Sequence, residues 1–242
     1  MLILAIDTST RTGSVALLRD DHLLAQVFRE EETPYSTRLF RDMDLLKTMA
    51  SFELKQVDLF AVASGPGSFT GLRIGLTAVK AWAEVHEKPV AAVSALEAIC
   101  AQSVAIAKVS LSEEVTFAPF FDGRRGQLFG AVYRRAAGDA RALELVSGES
   151  VLSPEEFMEL VKGGNHKGQP RLVSPAPGLI PATLLDQSLH GVGIETVSPI
   201  LAPTIGRLGF DRAKRGELVT ALQLDANYVR RSDAEAKWKD SQ

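Results

Sequence analysis

The sequence predicts an α/β protein built of two tandem β-β-β-α units. Three observations predict it. Apolar residues switch between strand-like runs and helix-like spacing along most of the chain. The 242 residues, 45% of them apolar, suffice for one large domain or two small ones, each with its own core. A strand-turn-strand pattern at the start returns near residue 115.

Leu2 to Ile6 is a short run of β-formers, followed by Gly13 to Leu18 and Leu23 to Phe28 with turn residues between them, which reads as a three-strand meander. The first turn, Asp7-Thr8-Ser9-Thr10-Arg11-Thr12, is crowded with hydroxyls that bond to local backbone. From about Ser36 the period becomes helical: Leu39, Met43, Leu46 and Ala50 recur at spacings of four, three and four. Val57 to Ala63 reads as a buried strand ended by Gly65-Pro66-Gly67. The next helix, Phe69 to Val85, is apolar in nearly every direction around its axis, so it needs cover on more than one side. A strand at Val90 to Val93 and a helix from Ala95 to Ala107 complete a first unit, residues 1–107.

The second unit, residues 108–242, opens with Val115 to Phe121. Ile6-Asp7 is answered by Phe121-Asp122, then Gly123-Arg124-Arg125-Gly126 and a strand at Gln127 to Tyr133. Gly148 to Pro203 is rich in Gly, Pro and Ser, with short pieces such as Leu172-Val173 reading as strand. Ala202 to Gly216 reads as one more helix, and the charged tail beyond Tyr228-Val229-Arg230 is expected to fray.

Composition excludes several function classes. A net charge of -3 offers no overall attraction to phosphate backbones or anionic lipid, so any nucleic-acid contact is local or supplied by a partner. A lone Cys100 rules out an internal disulfide, and His22, His86, His166 and His190 lie at no metal-binding spacing. The start reaches Asp7 after five apolar residues, too soon for a signal peptide, and no apolar run approaches the ~20 residues of a membrane span. The expectation is a cytoplasmic protein with neither metal nor cofactor.

Candidate chemistry gathers in few places. Gly65-Pro66-Gly67-Ser68-Phe69-Thr70-Gly71 joins a strand to a helix, where free N–H groups cradle an anion or Ser68 or Thr70 simply caps the helix. The P-loop pattern lacks its Gly-Lys-Ser/Thr, and Gly71 comes one position late for a dinucleotide fingerprint. Ser68 is not set in a Gly-x-Ser-x-Gly nucleophile elbow. Asp7 and Ser9, with Asp122 in the second unit, are candidate nucleotide-binding residues of an ATPase, or else turn caps. Gly71, Gly75, Ala78 and Trp82 follow one face of their helix and suit close packing or a subunit interface. The all-round apolarity favours the interface, shared with the Leu39, Met43 and Leu46 helix.

Ile3-Leu4-Ala5-Ile6-Asp7-Thr8-Ser9, the Gly65 to Gly75 segment and Val93-Ser94-Ala95-Leu96 resemble the TsaB (YeaZ) family in order and spacing. Weaker echoes at Asp122 to Phe129, Ile200-Leu201-Ala202-Pro203 and Tyr228-Val229-Arg230 extend the resemblance over nearly the whole chain. The resemblance implies a pair of RNase H-like units of the actin/hexokinase superfamily. It also implies a non-catalytic partner of the paralogue TsaD, which transfers threonylcarbamoyl to tRNA with a metal on a His-x-x-x-His helix absent from this sequence. Docking would use the first-unit helices, in a complex that also engages the ATPase TsaE and through which alone tRNA is met. When alone, an apolar helix face of this kind tends to pair with itself as a homodimer. Against this stands an enzyme, either an actin/hexokinase-type ATPase or kinase with Asp7 at its centre, or a glycopeptidase, the wider family's older label.

Two departures from the family pattern fall in the first helix. Tyr35-Ser36 replaces His-Ser, and Leu39-Phe40-Arg41 replaces Leu-Leu-Pro. Without the proline the helix is expected to run straighter.

Overall fold

The computed structural model describes residues 1–30, 33–106, 113–137, 143–164 and 168–229. His166 and the charged tail from Arg230 lie outside them. The chain forms two compact units, but their boundary differs from the expected break at 107/108. One unit comprises Met1–Ala95 and the returning segment from Ile200, and the other spans Leu96–Pro199.

In the first unit, β1 (Leu2–Asp7), β2 (Thr12–Arg19) and β3 (His22–Glu30) form an antiparallel meander. After α1 (Tyr35–Ala50), β4 (Leu59–Gly65) pairs parallel with β1; after α2 (Phe69–His86), β5 (Val90–Ser94) pairs parallel with β4. The sheet order is β3-β2-β1-β4-β5. β4 starts two residues later than Val57, because Leu54–Gln56 forms a 3-10 turn closed by a reciprocal Glu53–Gln56 capping box.

β1 is buried on both faces, which is why it reads as an unbroken apolar run. Leu4 and Ile6 join Leu39, Met43, Leu46 and Leu72 in a core with α1 and α2. The alternate residues face the other way. There α6 (Ala202–Arg215) packs on β1, β2, β4 and β5.

This packing explains the boundary. Gly206 lies against Leu18, and Gly209 against Ala61 and Ala91, so small residues on both surfaces let helix and sheet approach closely. Ala202 N–H donates to Ser14 Oγ at 3.1 Å, and Arg212 to the Ala92 carbonyl. The chain then bridges β5 at Val219–Val90 and buries Ala221 and Leu224 in the α1/α2 core.

The second unit contains α3 (Ala95–Ile106) almost entirely, with β6 (Val115–Arg124), β7 (Gln127–Arg135), β8 (Leu143–Leu152), α4 (Pro154–Gly163), β9 (Arg171–Ser174), α5 (Ala182–Ser188) and β10 (Ile194–Thr196). Its sheet order, β8-β7-β6-β9-β10 read from the β8 edge, repeats the first position for position. Again three antiparallel strands are followed by two parallel ones. Phe120, Phe157, Met158 and Leu172 centre a separate core.

Candidate functional site

The most polar buried group of the first unit sits where β1 ends. Asp7 is only 1% exposed, and its Oδ1 accepts hydrogen bonds from Ser9 N–H at 2.8 Å and Ser9 Oγ at 2.6 Å. Its Oδ2 is buried and unbonded, as is the neighbouring Thr8 Oγ1. Burial pushes the Asp7 carboxyl up to about 6, with the Ser9 hydrogen bonds and the Arg38 guanidinium opposing it.

Helix α2 closes over this loop. Ser68 Oγ accepts from Gly71 N–H at 3.4 Å, the capping role expected of it, and Ser68 N–H donates to the Ser9 carbonyl at 2.8 Å. Two donors of the loop are therefore engaged inside the protein. A Cβ on Gly71 would strike the Thr8 carbonyl oxygen, and one on Gly75 the Thr8 hydroxyl.

Helix α1 closes the other side. Arg38, 2% exposed, stacks over the Tyr35 ring at 4.1 Å and donates to the Arg11 carbonyl at 3.3 Å. The Tyr35 hydroxyl donates to the Thr10 carbonyl, and burial raises its pKa strongly. Arg29 of β3 pairs with Asp42 at 2.8 Å. Sequence patterning missed Tyr35, Arg38 and Asp42 as a set, although their i, i+3, i+7 spacing on an otherwise apolar inner face was there to be read.

The other candidates fall elsewhere. Asp122 is exposed in the second unit, and its Oδ1 accepts from Arg124 N–H at 2.7 Å, fixing a hairpin whose Arg124, Arg125 and Gly126 all have positive φ. Within its own unit it caps a turn. Leu39, Met43 and Leu46 point into the first unit's core, and Gly71 and Gly75 pack on Thr8. Those five, together with Ala78, are buried within the first unit.

The surface that α1 and α2 do present lies at their seam. Half-buried Trp82 of α2, one turn beyond buried Ala78, packs on Phe60 and meets Phe40 of α1 edge-on with ring centroids 6.4 Å apart, and Val85 follows it at i+3. Phe40 is 55% exposed and Val85 75%. On the far side of α1, Leu45 and Met49 are also exposed.

Farther along the segment that follows α6, Asn227 N–H donates to the Ser64 carbonyl at 2.7 Å, and Tyr228 lies on Phe69, which also carries the Arg73 guanidinium. Gly65 has φ +128°, and a Cβ there would meet the Asn227 carbonyl oxygen at 2.5 Å. Among the described residues, no three His, Cys, Asp or Glu side chains are grouped to hold a metal, and no helix is long and apolar enough to cross a membrane.

Asp7 gives a pH-dependent expectation. Its pKa rises on folding from the ordinary 3.8, so the proton it holds stabilises the fold at low pH, and that contribution fades as pH rises through about 6. The stability of the wild type relative to Asp7→Asn should fall by about 2 kcal/mol between pH 4 and pH 7. Urea unfolding of both proteins across that range measures it, and a flat difference would refute the raised carboxyl.

A meander followed by two parallel strands, in the order β3-β2-β1-β4-β5 and present twice in one chain, defines a tandem RNase H-like protein of the actin/hexokinase superfamily. Residues 32–213 match the family model of TsaD, tRNA N6-adenosine threonylcarbamoyltransferase. The chain belongs to that family, in its TsaB (YeaZ) branch of tRNA threonylcarbamoyladenosine biosynthesis proteins. It is 30% identical to the TsaB protein of Bacillus subtilis over 242 residues, all of both chains. To TsaB of Escherichia coli it is 31% identical over 166 residues, 67% of this chain and 68% of that one. The solved structure of YeaZ from Pseudomonas aeruginosa superposes with a TM-score of 0.71 at 25% identity, covering 94% of this chain and 99% of that one.

Proposed function

We propose that this chain is a non-catalytic subunit of the assembly that makes threonylcarbamoyladenosine beside the tRNA anticodon, and that it docks on a TsaD-like catalytic paralogue through α1 and α2. The observation that carries the reading is the seam formed by Phe40, Trp82 and Val85. Phe40 and Val85, left exposed on two adjacent helices around half-buried Trp82, suit a protein partner. A paralogue built on the same tandem fold offers corresponding helices, and two such pairs pack face to face.

The Asp7 region supports a subunit role over an ATPase or kinase. Ser9 Oγ is held by Asp7, the Ser68 N–H by the Ser9 carbonyl and the Arg38 guanidinium by the Arg11 carbonyl, and Asp122 caps a turn. The glycopeptidase label gains nothing from Ser68, which caps α2. The TsaE-like ATPase joins through the assembled pair, and tRNA meets the chain only within that assembly. The free chain pairs with itself through the same seam, and its compartment is the cytoplasm.

The test is co-purification with the TsaD of the same organism, followed by tRNA threonylcarbamoylation with and without this chain. The expected result is a stable complex and loss of modification when the chain is omitted. A chain that neither binds nor alters modification would return attention to an ATP-dependent activity at Asp7.

A further inference from the structure

Tyr35, Arg38 and Asp42 form a polar stripe along the inner side of α1, the first two tied to the β1–β2 loop and the third to β3. Tyr35 bonds the Thr10 carbonyl, Arg38 the Arg11 carbonyl at 3.3 Å, and Asp42 the Arg29 guanidinium at 2.8 Å. Gly13 leaves the space that Arg38 and Tyr35 fill, since a Cβ there would collide with both. Arginine is seldom buried to 2% exposure, and here an equally buried carboxylate, Asp7, feels its charge. Hydrophobic contact alone holds a helix against a sheet without fixing its rotation, because it is non-directional. Hydrogen bonds at three successive turns add direction and set both rotation and register.

We infer that Asp7, Arg38 and Tyr35 form a positioning latch, which fixes α1 on the β1–β2 loop in the rotation that presents Phe40 beside Trp82 to the partner. The inference rests on the docking reading above. Asp7 supplies the counter-charge that keeps the Arg38 guanidinium inside. None of the latch residues belongs to the exposed seam: Arg38 and Asp7 are buried, and Tyr35 is half-buried. Their effect on docking therefore passes through the placement of α1.

The experiment uses the full chain and three variants: Tyr35→Phe, Arg38→Met, and Arg38→Met with Asp7→Asn, which removes the buried cation together with its counter-charge. Affinity for the purified TsaD paralogue is measured by calorimetry, and amide exchange is followed at residues 39–43 and at the β1 and β4 strands. The double variant is expected to fold, to exchange at least tenfold faster at 39–43 with the strand amides unchanged, and to bind at least tenfold more weakly. Tyr35→Phe should move both readouts in the same direction by a smaller factor, and it decides the matter if the double variant does not fold. Wild-type exchange and wild-type affinity in the variants would overturn the latch. If the wild type itself does not bind the paralogue, the docking reading has failed, and unchanged exchange at 39–43 would then overturn the latch on its own.

Discussion

Gly75→Glu is expected to unfold the first unit outright. The helix face that carries Gly71 and Gly75 looks outward in a sequence pattern, and a charge there would seem a clean way to block a subunit interface. The structure turns that face inward: a Cβ at Gly75 would collide with the Thr8 hydroxyl, under which Asp7 and Ser9 are already packed. Overpacking of this kind costs about 1–3 kcal/mol. A carboxylate forced into the same space beside Asp7 adds about 3–5 kcal/mol for an uncompensated buried charge. The sum rivals the whole stability of an ordinary domain, about 5–15 kcal/mol. Circular dichroism and urea unfolding should show loss of cooperative structure, or a midpoint too low to measure. A variant that unfolds like the wild type would mean that the Thr8 loop yields easily and that the close approach of α2 is not structural.

The same reversal shows what was legible in the sequence. β1 could be read because burial on both faces leaves no polar interruption, and the inward stripe of α1 because Leu39, Met43 and Leu46 repeat at helical spacing. The duplication was visible from Ile6-Asp7 and Phe121-Asp122, and the two sheet orders agree with it. What small residues on α2 touch was not legible, since Gly71 and Gly75 announce a close neighbour without saying whether it is a helix or a loop. Nor was the return of α6 to the first unit. That contact depends on Gly206 and Gly209 meeting Leu18, Ala61 and Ala91, residues more than a hundred positions away, which no local period records. One missed element had left a signal: Ser153-Pro154-Glu155-Glu156 is a capping box with proline at the first helical position, and it opens α4. Asp122 matched Asp7 in order but not in environment. The tight Arg124-Arg125-Gly126 turn leaves it exposed, whereas the longer Thr8–Arg11 loop folds over Asp7.

A charge placed on the seam should do what Gly75→Glu cannot. Phe40→Glu combined with Val85→Glu is expected to abolish co-elution with the TsaD paralogue while leaving the isolated chain folded. Val85 is 75% exposed, and replacing such a residue changes stability by no more than about 0.5 kcal/mol. Phe40 loses its edge-on contact with Trp82, worth about 0.5–1.5 kcal/mol, which a folded domain tolerates. The effect on docking is much larger, because residues at the centre of an interface cost about 2 kcal/mol or more each when lost, and two carboxylates must also be desolvated there. Together these amount to at least about a hundredfold in affinity, since each factor of ten corresponds to about 1.4 kcal/mol. Size-exclusion chromatography of the mixed proteins measures the complex, and urea unfolding of the variant alone confirms the fold. Co-elution undiminished by both charges would move the interface off the α1–α2 seam, with the exposed Leu45 and Met49 side of α1 next to be tested. Lost co-elution with an intact monomer would establish the seam as the docking face, because the fold and the contact would then have been separated by substitution at the surface alone.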